Sequence, residues 1–333
     1  MFRRPKTLFA AAVLVSGVIS HFSASINPYY YDIILSIGIN IILAVSLNLV
    51  NGHTGQFSLG HAGFMAVGAY TAAAFTTYLS ASLLPRLGGS GIFAISLFFL
   101  LALFAGGLAA ALAGLIVGAP SLRLKGDYLA IVTLGFGQII VVVIQNIDAV
   151  GASRGFSVAS GYTNFFWTYF FAALTVYVVT NLVGSTYGRG FLTVRDDEIA
   201  AEAMGIDTTK YKVVAFTLGA FFAGIAGGLY AHFKQFISPD GFDFFKSVDI
   251  VVMVILGGMG NTAGVIFAAV LLTILPEWLR TVSGLTFLPH WLREIAQNRM
   301  ILYSLLLIVL MLTRPQGLFG DARLFRPKKP KIS

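Results

Sequence analysis

Charged side chains are absent from long stretches of this chain and cluster between them. Uninterrupted apolar runs occupy about 7–24, 30–50, 57–80, 91–118, 128–147, 163–184, 213–233 and 300–314, and Asp32, Asp249 and Arg314 fall at the edges of such runs. A bilayer crossing needs roughly 20 mostly apolar residues, and a charge at the bilayer centre is costly. The pattern predicts an all-α integral membrane protein, a polytopic bundle of about 8–10 transmembrane helices forming a single transmembrane domain over 1–333. A further apolar region, 249–275, is interrupted at Gly257-Gly258-Met259-Gly260-Asn261, and the run ending at Val50 is followed by Asn51-Gly52-His53-Thr54-Gly55-Gln56. Residues 51–56 and 257–261 are expected to be non-helical and buried, because broken backbone at membrane depth survives only inside protein or against a wet cavity. Paired glycine-interrupted segments point to a transport pathway.

Small residues recur where helices must meet. Gly106, Ala110, Gly114 and Gly118 repeat every four positions, as do Gly219, Ala223 and Gly227 beside Ala220, Gly224 and Gly228. Such rows let helix backbones approach closely in lipid.

Charge supplies the orientation. Placing the amino terminus, 119–126, 185–212 and the basic tail 315–333 in the cytoplasm puts 15 of the 22 Lys and Arg inside, counting the edge residue Arg314, as the positive-inside rule requires. Both termini are then cytoplasmic, provided that the broken region 249–275 either crosses twice or returns to its own side. Arg3, Arg4 and Lys6 before an apolar run and Ser23-Ala24-Ser25 after it look like a secretory leader. The spans that follow need no cleaved leader, and an uncleaved first span is the expectation.

Composition narrows the function classes. The chain is 57% hydrophobic and 11% charged, with a mean hydropathy of +0.84; soluble domains carry about a quarter charged residues. The net charge of +8 is spread over loops and tail, so nucleic acid is not the expected partner. With no cysteine and five histidines lacking HExxH spacing, disulfides, thiolate metal sites and thiol catalysis are excluded, and no metal is expected. There is no G-x-x-x-x-G-K-[ST] phosphate loop, so the chain is not expected to hydrolyse ATP or to act as an enzyme.

Two groups of residues carry the functional reading. Around the breaks, Asn48, Asn51, His53, Thr54, Gln56, Ser58 and His61, with Asn261 and Thr262, are candidates to line a translocation pathway; equally they satisfy broken backbone or bond between helices. Asn261 and Thr262 also open a half-helix whose amino end favours a carboxylate. Thr133 and Gln138 read as interhelical glue. Asp249 reads as a solvated cap, with an ammonium partner as the alternative.

In the cytoplasmic segment 185–212, Arg195, Asp196, Asp197, Glu198, Ile199, Ala200, Ala201, Glu202, Met204 and Gly205 form the second group. Asp196 is the expected N-cap, Asp197 and Glu198 suit a helix amino end, and Gly205 fits the C′ stop. The predicted helix runs about two turns, 196–204, with Ile199, Ala200, Ala203 and Met204 on its apolar side. Glu198 and Glu202 stand four apart on the other, which calls for a basic partner surface. Two turns are too few to be stable alone, so this helix must dock.

That segment resembles the EAA-type coupling loop of ABC importer permeases, through Glu198, Ala200, Ala201 and Gly205 in the form E-x-A-A-x-x-x-G. More widely, the chain resembles the LivM-type permeases of branched-chain amino acid importers, a family shared with urea and short-amide permeases. The carrying residues are Asn48 to Phe64 (NLVNGHTGQFSLGHAGF), Lys212 to Phe216, Ala223 to Leu229, Gly257 to Asn261 and Arg314 to Gly320. The resemblance implies an inner-membrane permease working by alternating access. It implies two ATP-binding partner subunits that carry ATP and magnesium, a homologous second permease and a periplasmic solute-binding protein, with no cofactor in this chain. The rivals are an ion-driven transporter, which often needs intramembrane ionisable groups that the spans as drawn nearly lack, and an intramembrane enzyme, for which no nucleophile or metal motif is present.

Overall fold

The computed structural model describes residues 5–22, 27–89, 91–122, 124, 126–158, 160–283, 305, 308–309, 312–313 and 317–318. The expected span at 300–314 and the tail 315–333 lie outside the described residues, apart from those few positions. The expected runs emerge as α1 (Pro5–Phe22), α2 (Pro28–Asn48), α3 (His61–Arg86), α4 (Ile92–Ser121), α5 (Asp127–Gln145), α6 (Phe165–Gly184) and α9 (Thr208–Lys234). The interrupted region resolves into α10 (Phe244–Gly257) and α11 (Thr262–Ser283). Segment 185–212 holds two helices, α7 (Thr186–Asp196) and α8 (Glu198–Ala203), where the sequence predicted one.

Among the described residues, α2 with the turn that follows it (28–53), α4, α5, α6, α9 and α11 are long and apolar enough to cross a membrane. The apolar stretch of α1, Phe9–Ser20, is shorter. Although α3 is a 26-residue helix, it is rich in Ala, Gly and Thr and does not qualify. It has little need to, because α4, α5 and α9 cover it and little of its first half faces outward.

The centre of the bundle is the packing of α9 on α3 and α4. The small-residue rows make that contact. A β-carbon on Gly68 of α3 would lie 2.2 Å from the Gly224 Cα of α9, and one on Gly114 of α4 would lie 2.6 Å from the Ala220 Cβ. On the outer side of α4, Leu101, Phe104, Leu108, Leu112 and Ile116 are exposed, a stripe at helical spacing that a bilayer would solvate. Around this centre α2 packs on α6, α9, α10 and α11, and α1 lies outermost against α6, with the Phe9 ring 5.1 Å from Tyr177.

The two ends of the bundle differ. At one end, Phe156–Ser157 (β1) and Phe236–Ile237 (β2) pair antiparallel, Lys234 holds Asp32 at 2.6 Å, and the Tyr29 hydroxyl donates to Glu277. At the other lie α7, α8, both breaks and the α10–α11 junction.

Candidate functional site

The first break begins later than the sequence implied. The helix continues past Asn48 as a wide π-type turn over Leu49–His53, so Asn51, Gly52 and His53 stay helical and the irregular stretch is 54–60. Such turns leave backbone groups to be satisfied and recur at functional sites. The Val50 carbonyl accepts both the Thr54 hydroxyl (2.7 Å) and the Gln56 amide (3.1 Å). The second break falls close to where expected: α10 runs through Gly257, while Gly258 and Gly260 have positive φ, and α11 starts at Thr262, but it is not fully buried, with Met259 53% exposed.

The structure brings the two breaks together. Gly260 N–H donates to Asn48 Oδ1 at 2.9 Å, and a β-carbon on Gly52 would lie 2.3 Å from Gly260 N. Only glycine permits that approach. Arg195, in the last turn of α7, reaches the same point. Its Nη1 donates to the Gly52 carbonyl at 3.4 Å, and its side chain packs on Gly55, whose φ is +71°. From the far end of the chain Leu318 N–H donates to the Leu256 carbonyl at 2.7 Å. Four separate stretches of sequence thus meet at one knot of backbone.

Most of the predicted pathway residues serve this knot and its surroundings. Asn51 accepts from Ser58 N–H at 3.2 Å and donates to the Ser58 carbonyl. Gln56 donates to the Thr54 carbonyl, Ser58 Oγ accepts from Gly60 N–H, and His61 meets Ser46 at 2.9 Å. All of them are buried. His53 approaches Asn48 at 3.5 Å through Nε2 while its buried Nδ1 has no partner among the described residues. Asn261 caps α11 by accepting from Gly264 N–H at 3.2 Å, so its own side chain occupies the helix end proposed for a carboxylate, and Thr262 opens the helix behind it. Thr133 acts as glue, accepting from Leu59 N–H at 3.1 Å.

The segment predicted to couple departs from expectation in three respects. The N-cap of α8 is Asp197, accepting from Ile199 and Ala200 N–H at 3.0 Å; Asp196 ends α7 and pairs with Arg195 at 2.8 Å. Ala201 is fully buried against its own chain. The acids are also already satisfied: Glu198 holds the buried Lys212 of α9 at 2.7 Å, and Glu202 accepts from the Thr208 hydroxyl at 2.8 Å. Gly205 does stop the helix with φ +81°. The predicted apolar side is uncovered, with Ile199 74% and Met204 81% exposed and Ala200 and Ala203 exposed beside them.

A cleft of about 220 Å³ opens between the two groups, lined by Thr54, Gly55, Gln56 and Phe57 on one wall and Val194 to Glu198 on the other. Behind it, Tyr187 of α7 stacks near Tyr211 of α9 at 4.5 Å. Burial, with Tyr211 and Asp207 adding to it, pushes the Tyr187 hydroxyl above the usual phenol range.

Sequence reasoning gave no role to Lys212, to the contact of Arg195 with Gly52 or to Leu318. The available signal for the first was a lysine abutting the apolar run 213–233. Nothing local marks the other two. It also took Asp249 for an edge cap; Asp243 caps α10, accepting from Lys246 N–H at 2.9 Å, and Asp249 lies a turn further in.

A family model described as the permease component of a branched-chain amino acid transport system matches residues 29–311. Over 252 residues the chain is 34% identical to the high-affinity branched-chain amino acid transport system permease protein LivM of Salmonella typhimurium, covering 65% of this chain and 56% of that protein. The LivM protein of Escherichia coli matches to the same extent. The probable branched-chain amino acid transport permease protein LivM of Methanocaldococcus jannaschii is 27% identical over 249 residues, 67% of this chain and 69% of that one. The chain thus spans little more than half the length of the two bacterial relatives. No solved structure matches significantly.

Proposed function

Since the chain belongs to the family of branched-chain amino acid transport permeases, we propose that it is the membrane subunit of an ATP-driven importer that moves branched-chain amino acids inward by alternating access. ATP and magnesium bind to two partner subunits, a homologous second permease completes the pathway, and a periplasmic binding protein delivers the solute. The chain sits in the inner membrane with both termini cytoplasmic and catalyses no reaction itself.

The observation that carries this reading is the contact of Arg195 with the glycine knot. A partner seated on Ile199 and Met204 would move α8, and α8 is fastened to α9 through Glu198–Lys212. The same motion pulls Arg195 across Gly52, where both breaks meet. Irregular backbone is the part of a membrane bundle that shifts without breaking regular helix hydrogen bonds, so this knot suits a gate on the cytoplasmic side.

The test is uptake by the complex isolated from its own membrane and reconstituted in vesicles. Leucine, isoleucine and valine should enter only with ATP inside the compartment bearing α8, and excess urea should not compete. Uptake driven by a proton or sodium gradient without ATP would refute the assignment, and competition by urea would reassign the solute.

A further inference from the structure

Two ionisable side chains lie at mid-depth in the bundle, where the span reading left none. Asn40 is twelve residues from Pro28 and thirteen from His53 in the continuous α2 segment, which places it roughly 18 Å from either end at 1.5 Å per residue. Thr273 is likewise central in α11, and Asn40 Nδ2 donates to its hydroxyl at 2.9 Å. Lys246 of α10 reaches the same place, its ammonium 3.4 Å from Asn40 Oδ1. Asp249 is three residues on, on the same face of α10. Because α10 is only 14 residues long and its first turn is level with Asn40, it is a half-helix that starts near the middle of the layer, as in transporters that bind solute at the midplane.

A lysine and an aspartate at this depth are expensive unless paired or used. Lys212, which is buried, shows what a structural pairing looks like: it has a carboxylate at 2.7 Å, whereas Lys246 is half-buried. The ammonium of Lys246 has three donors and, among the described residues, one long bond to a neutral amide, with Asp249 interacting through charge but making no ion-pair contact within 4 Å. Asn40 is committed through its Nδ2 to Thr273, so its carbonyl is what it offers Lys246. The residues at helical spacing beside these groups are apolar: Ile37 on α2, Met253 on α10 and Val270 on α11.

We propose that Lys246, Asp249, Asn40 and Thr273 form the midplane site for the zwitterionic head of an α-amino acid, a proposal that rests on the transport reading above. The solute carboxylate lies on the Lys246 ammonium, its ammonium lies on the Asp249 carboxylate, and its branched side chain rests among Ile37, Met253 and Val270. Charges of both signs one helical turn apart suit a zwitterion and are wasted on an uncharged amide.

The test uses the complex as purified, with leucine bearing a photoreactive diazirine in its side chain as the probe. During ATP-driven turnover, irradiation should attach the probe to peptides containing residues 246–256, 37–44 or 266–273, with excess leucine abolishing the label. Lys246→Met and Asp249→Asn should each lower leucine uptake at least tenfold while subunit association and ATP hydrolysis stay within twofold of wild type, and Lys246→Arg should recover part of the uptake. Wild-type uptake is the control for the function itself; if it is absent, the transport reading fails first. Normal wild-type uptake with unaffected variants, or with label elsewhere, overturns the site alone. Loss of subunit association in both variants would show that the charges face the second permease and would also overturn it.

Discussion

The Glu198–Lys212 pair is unequally protected, and that asymmetry can be measured. The Lys212 side chain is 2% exposed and that of Glu198 22%. Removing Glu198 strands a cation with no water around it, a loss of about 3–5 kcal/mol for buried pairs. Removing Lys212 strands an acid that can hydrate. Glu198→Gln should therefore lower the thermal midpoint of the detergent-solubilised protein by more than Lys212→Met does, and the double variant should recover much of the difference. Equal shifts would mean that Lys212 is hydrated through fluctuations of α8. This pair was hidden in the sequence because the acids and the lysine sit on opposite sides of the Gly205 turn, and only tertiary packing closes the gap. By contrast, the helix stop at Gly205 was readable, since it depends on local backbone alone.

Among the elements, α8 is the one whose surroundings are incomplete. Six residues cannot hold a helix in water; Asp197 at one end, Gly205 at the other and buried Ala201 beneath hold this one. A β-carbon at Gly205 meets nothing within 4 Å, so substitution there is opposed only by the positive φ, at roughly 1–3 kcal/mol. Gly205→Val should reduce uptake several-fold at equal abundance while Gly205→Asn, which tolerates that conformation, stays near wild type; equal behaviour of the two would remove backbone strain as the cause. Ile199→Asp with Met204→Asp should abolish co-purification of the ATP-binding subunits without changing membrane insertion. Retained co-purification would show that the exposed face is not the contact. The neighbouring α7 was missed because Gly188 and Gly190 weaken helix propensity. Both are there for close packing, Gly190 against the Tyr211 ring and Gly188 against the Val183 carbonyl, a requirement that a single sequence does not display.

At the scale of the whole molecule, the bilayer made the fold readable. Spans announce themselves by length and by exclusion of charge, and seven of the predicted runs overlap seven helices. What it could not reveal is depth: Lys246 was placed outside by its position in a polar stretch, although α10 begins near the midplane. The orientation is testable on a chain that has no cysteine. In intact cells Ser153→Cys should react with a membrane-impermeant maleimide and Thr193→Cys should not; the reverse pattern would invert the topology. Close packing of α3 on α9 gives a second global test. Gly68→Leu must push backbone away from backbone, and overpacking of this kind costs about 1–3 kcal/mol or more. It should lose the monodisperse peak in size-exclusion chromatography, whereas Gly135→Leu, which meets nothing within 4 Å, should keep it.

The hydrogen bond from Leu318 to the Leu256 carbonyl bears on how the protein is made. During synthesis α10 and α11 are made before residue 318. Until then the glycine break has a carbonyl without its final donor and a place for Gly317 that nothing fills. The glycine break is thus completed by a segment made only after both of the helices that flank it.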